Sequence, residues 1–193
     1  LPEDEDPHLV GGSLFLAMEL LDGHSLGDRL KEGAMSPPDA VRIIRQALLS
    51  LAEAHDKGVI HRDLKPDNLL LTKGEHGEIC KVLDFGIAKL MTQQEGIDAL
   101  ETQAGTVFGT PRYMSPEQAQ GKPLDARSDI YSLGVILYHA LVGHPPFTDG
   151  DAVVVMAHHI KTVPKRPRRV NEDLAIPAAL EELLMRVLDK DPA

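Results

Sequence analysis

At 193 residues the chain is long enough for one well-buried domain and short for two. A hydrophobic content of 42% with 26% charged residues places it in the globular class and excludes the disordered, collagenous and membrane classes. The formal net charge of −10 repels phosphate at long range, which excludes general attraction to nucleic acid or anionic lipid.

Residues 1–12 form an acidic lead-in whose start, Leu1-Pro2-Glu3-Asp4-Glu5-Asp6-Pro7, lacks the charged-then-apolar order of a signal peptide. Residues 13–21 are an apolar run of strand length, and Asp22-Gly23 punctuates it as a turn. Ser36-Pro37-Pro38-Asp39 has the chemistry of a helix start: a capping hydroxyl, proline near the first position and an acid facing the positive end of the dipole. Val41, Ile44, Leu48, Leu51 and His55 follow at spacings of three and four, which predicts one buried stripe, and Gly58 ends the helix.

His61-Arg62-Asp63-Leu64-Lys65-Pro66-Asp67-Asn68 then places a carboxylate, an ammonium and an amide in one short loop. Leu69 to Thr72 and Ile79 to Leu83 read as strands of a hairpin around a glycine-bearing turn, Lys73-Gly74-Glu75-His76-Gly77. Pairing them brings Asn68 toward Asp84, the first residue of Asp84-Phe85-Gly86. Cys80 is alone, so no intrachain disulfide forms, and it reads as a small strand residue suited to a reducing compartment. From Ile87 to Thr110 the periodicity fails, which predicts a mobile loop.

Gly109-Thr110-Pro111-Arg112-Tyr113-Met114-Ser115-Pro116-Glu117 is the third motif. Arg127 to Leu141 is apolar on more than one face and predicts a central helix, stopped by Gly143-His144-Pro145-Pro146. Asp151 to Lys161 and Pro177 to Asp189 read as two further amphipathic helices. Lys165-Arg166-Pro167-Arg168-Arg169 between them reads as a solvated loop. The longest apolar stretch, Tyr131 to Gly143, falls short of the roughly 20 residues a membrane span needs, so a cytoplasmic location is expected for this segment. His158-His159 are sequence neighbours and not an i, i+4 pair, which disfavours a histidine metal site.

In phosphoryl transfer a protein mainly positions an alcohol in line with the leaving group and neutralises phosphate charge. Asp63 suits the carboxylate that orients the hydroxyl and accepts its proton, and Lys65 suits the positive charge beside the transferred group. Asn68 and Asp84 supply oxygen donors of the kind magnesium takes alongside water and phosphate.

His-Arg-Asp alone would be weak, but the octet, Asp84-Phe85-Gly86 and Gly109 to Glu117 stand in the order and near the spacing of a protein kinase catalytic region. The chain resembles the eukaryotic-type serine/threonine protein kinases, with the wording of their bacterial members. The resemblance implies an α+β, protein-kinase-like fold over residues 13–193: a hinge strand, a short β-hairpin and a mainly helical C-terminal lobe. It further implies ATP and Mg2+ as cofactors and protein serine or threonine hydroxyls as acceptors, because Lys65 and Gly109-Thr110-Pro111 are similar to serine/threonine rather than tyrosine kinases. Asp63 is then the catalytic base, Lys65 contacts the transferred phosphate, Thr110 buttresses both, and Asn68 and Asp84 bind magnesium. Phe85, followed by Gly86, packs beneath the site beside His61.

Met18, Glu19 and Leu21 match the hinge that holds adenine, and Leu70 matches the apolar floor of that pocket. Ser25 stands where an acidic ribose contact is common, which weakens that contact. Arg62 beside Asp63 marks kinases switched on by loop phosphorylation, with Thr106 and then Thr102 as the candidate sites. Asp129 matches the central-helix aspartate that braces the catalytic loop, and Glu117 matches a residue whose arginine partner lies beyond Ala193.

The match lacks the small lobe: no Gly-x-Gly-x-x-Gly and no Val-Ala-Ile-Lys-like strand precede residue 13. The expectation is a chain at most feebly active alone, with apolar surface that favours self-association. A non-catalytic kinase-like binding module is the alternative from a different class, and a small-molecule kinase is disfavoured by the Gly109 to Glu117 segment.

Overall fold

The computed structural model describes residues 19–75, 77–85, 111–173 and 175–191. The acidic lead-in, the expected strand up to residue 18 and the loop 87–110 lie outside the described residues.

Residues 19–22 have no regular structure, so the strand expected over 13–21 does not extend through them. The first pairing, β1 (His24–Ser25), comes just after the predicted turn and runs antiparallel to Leu70 and Leu71. Gly23 permits that approach, because a Cβ there would lie 2.3 Å from the carbonyl oxygen of Leu71. Sequence reading missed the short α1 (Leu26–Lys31), whose N-cap is Ser25: its Oγ accepts from the Asp28 nitrogen. The bond from Lys31, then that from Ser25, hold the Asp28 carboxyl down at about 2.

α2 (Pro37–Asp56) begins as predicted, with the Ser36 hydroxyl accepting from the nitrogen of Asp39, and is followed by Gly58 at φ 75°. Its buried face is Ala40, Ile43, Ile44, Ala47 and Leu51, which corrects the expected stripe. Val41 and Leu48 are 39% and 38% exposed. The large side chains misled because Ala40 and Ala47 lie on the buried face and let the helix press closely against its neighbours.

β2 (Leu69–Gly74) and β3 (Gly77–Val82) form the predicted hairpin, with Leu69 opposite Val82 and Leu71 opposite Cys80. β3 is an edge strand, and α2 covers it: Gln46 donates to the Glu78 carbonyl and accepts from the Cys80 nitrogen at 2.9 Å. Cys80 is buried, and burial followed by the Glu78 charge pushes its thiol up to about 12.

After residue 110 come a 3-10 turn (Pro111–Tyr113), α3 (Pro116–Ala119) and α4 (Ala126–Val142). α4 is the predicted central helix, buried from Ser128 to Val142 except at Ile130 and His139. α5 (Ala152–Lys161) and α7 (Ala178–Val187) fall where the amphipathic patterns place them. The basic cluster is not simply a solvated loop: Pro167–Val170 forms the short α6, Arg166 pairs with Glu181 at 3.2 Å and Glu182 at 2.6 Å, and the Arg168 nitrogen donates to Glu181. Glu181 is 5% exposed, so its carboxylate requires these partners. Among the described residues no helix is long and apolar enough to cross a membrane.

Candidate active site

Asp129, buried in the first turn of α4, organises the loop that follows α2. Its Oδ2 accepts from the backbone nitrogen of His61 at 2.8 Å and stands 2.8 Å from His55 Nε2, while Oδ1 accepts from the nitrogen of Arg62 at 3.0 Å. Asp129 is 1% exposed, so three donors around one carboxylate replace the water it has lost. Arg62, thus held, sits at φ 68°, a conformation uncommon outside glycine.

His61 is fully buried and pins the loop to the strand end. Its Nε2 is 2.7 Å from the Leu83 carbonyl, which can only accept, so Nε2 carries the proton and Nδ1 accepts from the Asp63 nitrogen at 3.3 Å. Phe85 lies against the same ring, with centroids 5.0 Å apart.

The side chain of Asp63 is half exposed, and Lys65 Nζ stands 3.5 Å from its Oδ2. Asn68 ends a 3-10 turn (Pro66–Asn68) and is buried; its Nδ2 donates to the Asp63 carbonyl at 2.9 Å. With the nitrogen committed, the amide oxygen is the atom left for a ligand. The Leu83 nitrogen donates to the Asn68 carbonyl at 2.8 Å, so the hairpin ladder sets Asp84 one residue beyond the position facing Asn68. Asp84 is exposed and at φ 54°, the second non-glycine residue with positive φ among those described. Both such residues lie in the motifs that carry the sequence resemblance, and backbone strain of this kind commonly collects at functional sites.

The segment 111–118 is tied to this loop and to the helices below it. Ser115 and Gln118 form a capping box at the start of α3, and Gln118 Nε2 reaches across to the Arg62 carbonyl at 2.6 Å. Glu117 accepts from the hydroxyl of Ser128 at 2.7 Å. The Tyr113 hydroxyl is 2.9 Å from His139 Nδ1. His159 Nε2 lies 3.1 Å from the Arg112 carbonyl, its Nδ1 lies 3.0 Å from the Tyr131 hydroxyl, and Lys190 donates to that hydroxyl at 2.8 Å. Since the carbonyl only accepts and the lysine only donates, His159 is protonated at Nε2 and Tyr131 donates to Nδ1. Burial, then the Lys190 charge, lowers His159 to about 4. Burial, then His144, lowers His139 to about 4 as well.

Sequence reading missed Gln118, His55, His139 and His159. The Ser115-x-x-Gln118 spacing was a readable helix-start signature, whereas the histidines acquire roles only through tertiary contact.

Of the expected adenine contacts, Glu19 is exposed with its carboxylate 3.3 Å from Lys81, and Leu21 is half-buried. Leu70 is half-buried on β2, between the fully buried Leu69 and Leu71, and so points to the opposite face of the sheet. Ser25 sits beside Leu70 and is occupied in capping α1. Met18, Gly86, Thr102, Thr106 and Thr110 lie outside the described residues.

A three-stranded sheet, a buried central helix and an aspartate on that helix bracing the loop that carries Asp63 and Lys65 are the features of a protein-kinase-like fold. Residues 9–193 match the family described as Protein kinase domain, and the chain belongs to that family. It is 46% identical over 184 residues to the serine/threonine-protein kinase pkn3 of Myxococcus xanthus, covering 94% of this chain and 34% of the relative. It is 40% identical over 191 residues to the serine/threonine-protein kinase PknB of Mycobacterium tuberculosis, covering 98% of this chain and 29% of that protein. A crystal structure of the kinase domain of Mycobacterium tuberculosis PknI, in a single-site mutant form, superposes with a TM-score of 0.64 at 25% identity, over 91% of this chain and 57% of that one. The chain therefore spans about a third of the length of the two full-length bacterial relatives.

Proposed function

We propose that this chain carries the catalytic loop of a serine/threonine protein kinase that transfers the γ-phosphate of ATP to protein hydroxyls. The observation that carries the reading is the Asn68 bond to the Asp63 carbonyl together with the Leu83 bond to Asn68, which gathers Asp63, Lys65, Asn68 and Asp84 around one strand end. The relatives named above are serine/threonine-protein kinases, and the motif residues of the resemblance fall within the matched region.

Asp63 orients the incoming serine or threonine hydroxyl and takes its proton as the oxygen bonds to the γ-phosphorus. The bond from that phosphorus to the β–γ bridging oxygen breaks, ADP leaves with the electron pair, and Lys65 offsets charge on the moving group. The Asn68 amide oxygen and the Asp84 carboxylate are hard donors that would hold Mg2+, and the ion would supply positive charge to offset that of the phosphates. Leu70, Leu21, Met18 and the backbone at Glu19 contact adenine. The segment ending at Glu117 receives the protein substrate, and Thr110 supports Asp63 and Lys65.

Arg62 has a buried Nε with no hydrogen-bond partner among the described residues. A phosphate on Thr106, or on Thr102, supplies an acceptor for that guanidinium and orders the loop.

The test mixes the chain with Mg-ATP, a serine/threonine peptide and a nucleotide-binding lobe supplied in trans. Peptide mass increases by about 80 Da per transfer, and Asp63→Asn abolishes the gain. No transfer, or transfer that survives Asp63→Asn, contradicts the reading.

A further inference from the structure

The peptide unit joining Arg62 to Asp63 is rigid and planar, so its carbonyl and its N–H move together. Each end is held. The Asp63 N–H donates to His61 Nδ1 at 3.3 Å, and the Arg62 carbonyl accepts from Gln118 Nε2 at 2.6 Å. Arg62 needs such support, because φ 68° is unfavourable for a side chain with a Cβ, and the Asp129 bond fixes only its nitrogen side.

Gln118 belongs to a different segment, 56 residues along the chain. Its Oε1 accepts from the Ser115 nitrogen at 2.9 Å, and the Ser115 hydroxyl accepts from the Gln118 nitrogen at 3.3 Å. A glutamate performs that capping role equally well. Only an amide can also donate to Arg62, because an ionised carboxylate has no hydrogen to give. The helix start explains a Glu or Gln at this position, and the bond to Arg62 uses the half of the side chain that only Gln has.

We propose that Gln118 is a positioning residue: through the Arg62 carbonyl it sets the plane from which Asp63 projects, and so couples the seating of segment 111–118 to the aim of the Asp63 carboxylate. This rests on the reading of Asp63 as the group that meets the acceptor hydroxyl. When segment 111–118 is displaced, the Arg62 carbonyl loses its donor and the 62–63 plane is free to turn. Asp63 is then correctly aimed only while the segment proposed to receive the protein substrate is in place.

The test compares Gln118→Glu, Gln118→Met and Ser115→Ala with the unsubstituted 193-residue chain. Hydrogen exchange at the Asp63 amide is the direct reporter, since that N–H shares the plane with the Arg62 carbonyl. Both Gln118 variants speed it about tenfold, the equivalent of one lost hydrogen bond, and leave the β2 amides unchanged. Ser115→Ala, which loosens the helix start that seats Gln118 but leaves its amide in place, speeds Asp63 exchange by less than either Gln118 variant. In phosphoryl transfer with the nucleotide-binding lobe in trans, Gln118→Glu lowers kcat about tenfold with the KM for peptide and for ATP unchanged. Wild-type exchange at Asp63 in Gln118→Glu overturns the proposal, as does a rise in peptide KM at unchanged kcat. Absence of any transfer by the unsubstituted chain overturns the kinase reading instead, and the exchange measurement still decides whether Gln118 holds the plane.

Discussion

The carboxylate of Asp129 lies 2.8 Å from the backbone nitrogen of His61, joining the first turn of the buried helix α4 to the loop that carries Asp63, 68 positions earlier in the chain. The same side chain holds Arg62 and meets His55, so the loop is fastened to a helix buried along most of its length before any ligand binds. Asp129→Asn keeps the shape but turns an NH2 toward at least one of these donors. Urea denaturation is expected to show a loss of about 2–3 kcal/mol, with faster amide exchange at His61 and Arg62. Unchanged stability and unchanged exchange contradict this.

Acid should destabilise the domain through His139 and His159. Both are lowered to about 4 in the fold by burial, against about 6.5 in an unfolded chain. Between those values the unfolded chain binds the protons and the folded one does not, so stability is full above about 6.5 and falls as the pH drops toward 4. Arg112, His144, His158 and Lys190 face these rings and add positive charge, which works in the same direction. Thermal melts from pH 7 to pH 4.5 should show a falling Tm, and His159→Gln should flatten part of that slope.

Cys80 should be inert while the domain is folded. Its thiol is 4% exposed and raised to about 12, so thiolate is scarce and enclosed at neutral pH. Alkylation at pH 8 is expected to be at least about 100-fold slower than for the same chain in denaturant. Comparable rates in the two conditions contradict the packing of β3 beneath α2.

Gly134 permits a close approach of α4 to α7. A Cβ there would stand 2.5 Å from Val187 Cγ1 and 3.2 Å from a methyl of Leu188. Gly134→Val should cost about 1–3 kcal/mol by overpacking, and Val187→Ala in the same chain should recover part of that loss. Additive losses in the double variant contradict the contact.

The kinase-like motifs and the long helices are legible because they are written locally. Ser36-Pro37-Pro38-Asp39 caps α2 with its own atoms, and the apolar density of Ile130 to Leu141 admits only a central helix. The stripe of α2 was misread because burial there follows Ala40 and Ala47, which carry little hydrophobic signal of their own. Gln118 and His159 escaped for a different reason: a glutamine in a helix start and one of two adjacent histidines look ordinary until folding brings Arg62 and Arg112 to them.

The position of a divalent cation reports directly on whether Asn68 and Asp84 share a ligand. Adding Mn2+ with ADP to the isotopically labelled chain should broaden the amide signals of Asn68 and Asp84 before any others among the described residues, and Asp84→Asn should remove the effect. Broadening that spares both residues, or that persists in Asp84→Asn, would contradict a shared metal position in front of Asp63.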